Sequence, residues 1–269
     1  RCLREGRTYK NFSISEVLTV GASEMHPIQY MIIMIIIPDI HGRHFWKDAV
    51  AKRKDGEMVV FLGDYLDPHE KPINRESFRK SFENLQDIVD FKKANEDTCI
   101  LLFGNHELSY LFGWWLTYPH NLRRHFQYKR FLKENISNFK LIHATTIGNS
   151  RLLFSHAGIH LKWLERILKK NDSIEKKISY LQDVSVLKIK RALHTTTTES
   201  EFFKKWGSCV WLYVDDWWPN YKSLFFDNYY QVFGHTFRGE GNELITEYFA
   251  ALDSCQAFRI DEFGVLERL

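Results

Sequence analysis

Three short apolar runs rich in β-branched residues, 31–37, 58–62 and 98–103, each stop abruptly in a polar, turn-prone cluster. The clusters read Pro38-Asp39-Ile40-His41-Gly42, Gly63-Asp64-Tyr65-Leu66-Asp67 and Gly104-Asn105-His106-Glu107. Unalternating runs of this length predict strands buried on both faces, with chemistry carried by the loops at their C-terminal ends. Between them the period changes. Residues 45–54 are short and amphipathic, and 74–95 space Phe78, Phe82, Leu85, Ile88, Val89 and Phe91 at helical intervals with charges between. Strand, helix, strand, helix, strand predicts a parallel βαβ core.

Beyond Glu107 an aromatic stretch (Tyr110, Phe112, Trp114, Trp115, Tyr118) and a basic helical segment, 121–135, predict an insertion over the end of that core. Segments 139–145 and 151–154 flank Gly148-Asn149 and predict a hairpin whose second strand delivers Ser155-His156-Ala157-Gly158. Helices are expected across 160–193, and an exposed loop across 194–200, where four threonines are consecutive. Another aromatic cluster (Trp206, Trp211, Tyr213, Trp217, Trp218) precedes a strand at 230–233 that ends in Gly234-His235-Thr236. Alternation near 247–251 and 257–260 is expected to complete a second sheet. Residues 1–30 have mixed polarity without a period and read as an extension outside the core. The expectation is one domain over 31–269 with insertions at about 108–138 and 160–229.

Composition narrows the picture without naming a partner. At 269 residues and 44% apolar, the chain can bury one substantial core. Lys+Arg 37 against Asp+Glu 34, a net +3, gives no reason to expect a nucleic-acid or membrane surface. Four cysteines without a CxxC pair exclude a zinc finger and suit reduced thiols rather than a disulfide frame. The strongest apolar run, seven residues, is far short of the roughly 18 of a membrane span, and no small-residue cleavage site follows it. A cytoplasmic protein is expected.

Five motifs occur in order, each after a predicted strand: Asp39-x-His41, Gly63-Asp64 with Asp67, Gly104-Asn105-His106-Glu107, Ser155-His156-Ala157-Gly158 and Gly234-His235-Thr236. Any one of them alone is more often a satisfied polar group than a ligand; their joint occurrence is what signals a site. Phosphate-ester hydrolysis explains the residue types. The negative oxygens of the ester repel a nucleophile, so a catalyst needs cations on those oxygens and water activated at neutral pH, and two metals about 4 Å apart supply both. Such a pair needs a bridging anion, for which Asp64 is the candidate. Imidazole, carboxylate and amide oxygen without thiolate favour borderline metals such as manganese, iron or zinc over magnesium or copper(I), and manganese is the ion expected first.

On these residues the chain resembles the calcineurin-like metallophosphoesterase superfamily, and its GDYLD and GNHE spacing is similar to the phosphoprotein (Ser/Thr) phosphatase branch. The resemblance covers about 31–110, 150–160 and 230–260. It implies an α/β (α+β) fold, a four-layer β-sandwich flanked by helices, with helical and aromatic insertions over the site. It further implies two divalent metal ions: Asp39 and His41 on the first, Asp64 bridging, and Asn105, His156 and His235 on the second. His106 would be the general acid and Asp67 its orienting carboxylate.

Three positions depart from the pattern. Pro38 and Pro68 stand where the phosphatase branch usually has a glycine before the first Asp and an arginine after GDxxD. Arg43 and Arg238, beside metal motifs, are the candidates to replace that arginine on the substrate phosphate. Phe237 stands where phosphodiesterase relatives carry a second histidine, which favours the phosphatase-like branch over a nuclease. The expected activity is phosphomonoester hydrolysis of protein Ser/Thr phosphatase type on a phosphorylated substrate, either phosphoprotein or nucleotide. The nucleotide alternative is a hydrolase resembling symmetrical diadenosine tetraphosphatases, with the tryptophan clusters stacking on a base. A non-catalytic scaffold finds no support, because every expected ligand and the acid are present.

Overall fold

The computed structural model describes residues 33–114, 121–148, 150–169, 171–193, 207–212, 226 and 228–269. The 1–30 extension, the 194–200 loop, Trp115, Tyr118, Trp206, Tyr213, Trp217 and Trp218 lie outside them.

The three apolar runs form β1 (Met34–Ile37), β2 (Met58–Phe61) and β3 (Cys99–Leu102), paired in parallel, with β4 (Phe139–Lys140) parallel to β3. The crossovers are α1 (Phe45–Ala51) and α2 (Arg75–Ala94). Asn74 caps α2: its side chain accepts the Glu76 and Ser77 N–H groups, and the Ser77 hydroxyl accepts the Asn74 N–H. After β3 comes α3 (Asn105–Phe112), then α4 (His125–Glu134).

The second sheet begins with the hairpin β5 (Ile142–Ile147) and β6 (Ser150–Ser155). The expected single strand 139–145 is in fact two: Phe139–Lys140 extends the first sheet, and the chain turns at Leu141 to start the second. Short helices α5 (Leu161–Leu164), α6 (Ile174–Asp183) and α7 (Lys190–Leu193) follow. The remaining strands are β7 (Tyr230–Phe233), β8 (Leu244–Ile245), β9 (Phe249–Ala251), β10 (Phe258–Ile260) and β11 (Leu266–Arg268). The sheets run β11-β10-β1-β2-β3-β4 and β5-β6-β7-β9-β8. The 257–260 segment therefore does not complete the second sheet. It returns to the first, antiparallel to β1 with Ile36 opposite Phe258, because its apolar side chains are needed beside β1.

Both faces of β1 to β3 are buried, which is why those runs lack alternation. Met34, Ile36, Val60 and Leu102 face Leu152, Phe154, Val232 and Ala250 of the second sheet. Ile35, Ile37, Val59, Phe61 and Leu101 face Trp46 of α1 and Leu85, Ile88 and Val89 of α2. Helices, sheet, sheet and outer helices make the four layers. All strands that run in parallel within each sheet release their C-terminal loops at one edge, where the motifs collect. No helix among the described residues is long and apolar enough to cross a membrane.

Candidate metal centre

The loops after β1 and β2 are clasped together by the backbone. The Ile40 and His41 N–H groups donate to the Asp64 carbonyl at 3.0 and 2.7 Å, and the Gly42 N–H donates to the Tyr65 carbonyl at 3.1 Å. Trp46 donates to Asn84, whose amide donates to the Arg43 carbonyl, so α2 holds the first loop from beneath. His41, Asp64, Asp67 and His235 all have left-handed φ, at 45, 51, 57 and 68°. Non-glycine residues rarely adopt this conformation, and its concentration in predicted site residues marks a strained functional turn set. Two glycines permit the close approach: a Cβ on Gly104 would lie 2.0 Å from Asp64 Oδ1, and one on Gly234 would lie 2.0 Å from Asp39 Oδ1.

Asp39, His41 and Asp64 bring one ligand atom each within 4.8 Å of one another, and Asp64, His156 and His235 do the same. Asp64 is common to both groups. All three aspartates, His41, Asn105, His106 and His156 are buried. Their hydrogen bonds fix the imidazoles. His41 Nδ1 faces the carbonyls of Leu66 (3.1 Å) and Asp67 (3.0 Å), so it must carry the proton, leaving the Nε2 lone pair toward Asp64. His156 Nδ1 likewise donates to the Leu62 carbonyl at 2.9 Å. His156 Nε2 then lies 2.8 Å from Asn105 Oδ1, with His235 Nδ1 3.2 Å from each. Turned over, the Asn105 amide would instead donate to Asp64 and to both imidazoles.

The electrostatics tell the same story. Burial alone would raise Asp64, but His156 and His106 outweigh it and hold its carboxyl well below the usual carboxylate range. Burial would lower His156, yet Asp64 and Asp39 push it up to about 10. Burial and then the charge of Asp253 raise Asp39 well above its ordinary value. His41 and His235 are lowered, first by burial and then by neighbouring imidazoles, His235 to about 3. The buried Asp64 therefore draws positive charge to the site, here as protons on His156 and His106. Divalent cations fit this donor set, which contains no thiolate.

Beside the two groups stands a dyad. His106 Nδ1 is 2.8 Å from Asp67 Oδ2, while its Nε2 faces inward, 3.8 Å from Asp64 Oδ2. Burial would lower His106, but Asp64 and Asp67 carry it up to about 9. His106 is not on a strand-end loop as expected; with Asn105 it opens the first turn of α3, and its N–H donates to Asp64 Oδ1 at 3.0 Å.

Three neighbours escaped the sequence motifs or had no role in them. Glu107 accepts the N–H groups of Asp64, Tyr65, Leu66 and Gly104 at 2.9–3.1 Å, locking the β2 loop to the start of α3. Tyr110, placed by sequence in an overlying insertion, lies beneath the site: its hydroxyl donates to Asp67 Oδ1 at 2.5 Å and accepts the Asn121 N–H at 2.7 Å. His69 is exposed but stacks on His41, ring centroids 3.7 Å apart. Of the two candidate arginines, Arg43 binds Glu70 through Nε at 2.9 Å, and the Arg238 N–H donates to the Asp253 carbonyl at 2.7 Å. Arg43 and Arg238 both act electrostatically on the Asp253 carboxyl, which burial pushes up to about 7.

The profile of the calcineurin-like phosphoesterase family matches residues 34–250. The chain belongs to that family. Calcineurin-like phosphoesterases are metal-dependent hydrolases, and the His and Asp groups above are this member's candidate ligands. Among solved structures, one of a cold-active protein tyrosine phosphatase is similar at 16% identity, covering 88% of this chain and 78% of its own, with a TM-score of 0.50. A protein serine/threonine phosphatase from Saccharomyces cerevisiae is similar at 15% identity, with coverage of 88% and 79% and a TM-score of 0.51. At such identities the likeness establishes the fold. Among curated protein sequences no match was found.

Proposed function

We propose that this calcineurin-like phosphoesterase is a phosphomonoesterase of protein Ser/Thr phosphatase type that works with two divalent cations, manganese in the first instance and iron or zinc as alternatives. The observation that carries the proposal is the sharing of Asp64 between two convergent ligand groups, with the His106–Asp67 dyad alongside. Asp39, His41 and Asp64 would hold one cation, and Asp64, Asn105, His156 and His235 the other. When bound, the cations would neutralise phosphoryl oxygens and make water available as a nucleophile at neutral pH.

The chain's own residues do the rest. Asp64 supplies the negative charge that lets two cations sit together. Asp67 holds His106 with Nε2 directed inward, in position to give a proton to a departing alkoxide. Arg43 and Arg238 are the candidate partners of the substrate phosphate, Arg43 after exchanging its exposed partner Glu70.

A nucleotide substrate is the second reading, and one contact favours it: the Trp211 ring lies 5.5 Å from that of His235, at the edge of the second ligand group, where a base could stack. Purified protein should contain divalent metal, lose turnover on chelation and regain it with manganese. A panel of phosphopeptides and dinucleoside polyphosphates separates the two readings. His106→Asn then tests the acid, because it should lose about 10²–10⁴-fold on an alkyl phosphate and much less on an activated aryl phosphate. Full turnover by verified metal-free protein, or equal losses on the two esters, would overturn the mechanism.

A further inference from the structure

Three parallel strands of the second sheet end at the same edge. β6 runs into Ser155-His156, β7 into Gly234-His235, and β9, in register with β7 at Phe233 and Ala251, into Leu252-Asp253. The Leu252 N–H donates to the Phe233 carbonyl at 2.8 Å and the Arg238 N–H to the Asp253 carbonyl at 2.7 Å, which fixes Asp253 beside the His235 loop. The first two strands deliver imidazoles of the metal centre. The third delivers a carboxylate that no motif predicted.

Asp253 is 4% exposed, and its Oδ1 has no hydrogen-bond partner. A buried carboxylate in this condition is costly and calls for a counter-charge. Arg43 and Arg238 both act on it, the Arg43 Nε being held by Glu70, yet burial still outweighs them. Of all the charged neighbours of Asp39, Asp253 acts on it most strongly, so two buried anions stand in each other's field on the side of the first ligand group. That group converges on three side chains, Asp39, His41 and Asp64, whereas the second also has the Asn105 amide against His156 and His235. Asp253 is not among the ligand atoms that converge within 4.8 Å, which places it outside the two groups.

We propose that Asp253 is an outer carboxylate of the metal centre, which stabilises at one remove the cation held by Asp39, His41 and Asp64. The inference rests on the two-cation reading above. Outer carboxylates of this kind are worth about 10–100-fold in metal affinity.

The test uses the full chain, stripped of metal and titrated with manganese by calorimetry, as wild type and as Asp253→Asn. Wild type should bind two ions; the variant should bind one of them about 10–100-fold more weakly and leave the other unchanged. Thermal unfolding gives an independent reading. Without metal, Asp253→Asn should melt no lower than wild type, since a buried unpaired charge is gone, and manganese should raise its Tm by less. Should the asparagine variant fail to fold, Asp253→Ser is read by the same titration. Unchanged affinities at both positions would overturn the inference while leaving the two-cation reading intact. So would a metal-free variant that melts lower than wild type, or a raised KM with intact metal binding, which would assign Asp253 to orienting the arginines. Failure of the wild type to bind manganese would overturn both.

Discussion

Glu107→Gln is the most demanding test of how this site is held, because it changes one atom in a residue that need touch neither metal nor substrate. One carboxylate oxygen accepts the Tyr65 and Leu66 N–H groups and the other accepts those of Asp64 and Gly104. A glutamine can keep one such pair; the other pair then faces an NH2 group, donor against donor. Hydrogen bonds to a charged group are worth about 1.5–3 kcal/mol each, so losing two should cost about 3–6 kcal/mol. A domain of this kind has on the order of 5–15 kcal/mol in total, so Tm should fall by on the order of 10 °C. The damage should also reach function. The N–H groups released belong to the turn that keeps Asp64 and Asp67 at φ 51 and 57°, so the variant should bind metal more weakly even where it remains folded. Urea unfolding of metal-free wild type and variant measures the first effect, and manganese titration the second. A stability change below about 1 kcal/mol would show that the turn holds itself and that Glu107 is not its anchor.

Other expected outcomes concern single groups. Asp64→Asn should lose bound metal, measured by elemental analysis, together with activity; two ions per chain at near-normal rates would remove Asp64 from the bridging role. Tyr110→Phe deletes the hydroxyl donor to Asp67 and should lower kcat on alkyl phosphates by about tenfold with KM unchanged, and less on aryl phosphates. His143 and His160 are both lowered to about 4, first by burial and then by Lys140 and Lys162 respectively. Their folded values lie below the unfolded one, so their contribution to stability is full above about pH 6.5 and is lost as pH falls toward 4, on the order of 1–2 kcal/mol at pH 5 for His143. Urea unfolding of wild type and His143→Leu from pH 7 to 5 should show a shallower acid loss in the variant; parallel curves would refute the assignment.

What could be read in advance follows from where each residue stands. Asp39, His41, Asp64, Asn105, His156 and His235 each follow directly on a buried strand, so an apolar run with an abrupt polar stop marks them. The same pattern located β7, whose observed bounds match the expected ones. Asp253 also follows a buried strand, but Phe249–Ala251 is too short and too rich in alanine to stand out. Tyr110 looked like one of many aromatic residues in a supposed insertion; only the helix that begins at Asn105 turns it back under Asp67. The two mistaken strand placements share a cause. Local alternation reports that a segment is extended, but which sheet it joins depends on long-range pairing, as with Phe258 opposite Ile36.

The strain in the loops shows how the site can exist before any cation arrives. Four of the six described non-glycine residues in the left-handed region are candidate site residues, and at about 1–3 kcal/mol each they amount to about 4–12 kcal/mol, comparable with the stability of a whole domain. Specific acceptors must offset this, and the candidate metal-ligand carboxylates are among them. Both oxygens of Asp39 accept the His235 N–H at 3.0 Å, and Asp64 Oδ1 accepts that of His106. Each aspartate thus positions a neighbouring imidazole through the backbone while its charge remains available to a cation. Asn at position 64 keeps an acceptor oxygen for the His106 N–H but not the negative charge, whereas Ala removes both. Asp64→Asn should therefore lose metal while leaving the α3 turn in place, and Asp64→Ala should lose metal and stability together.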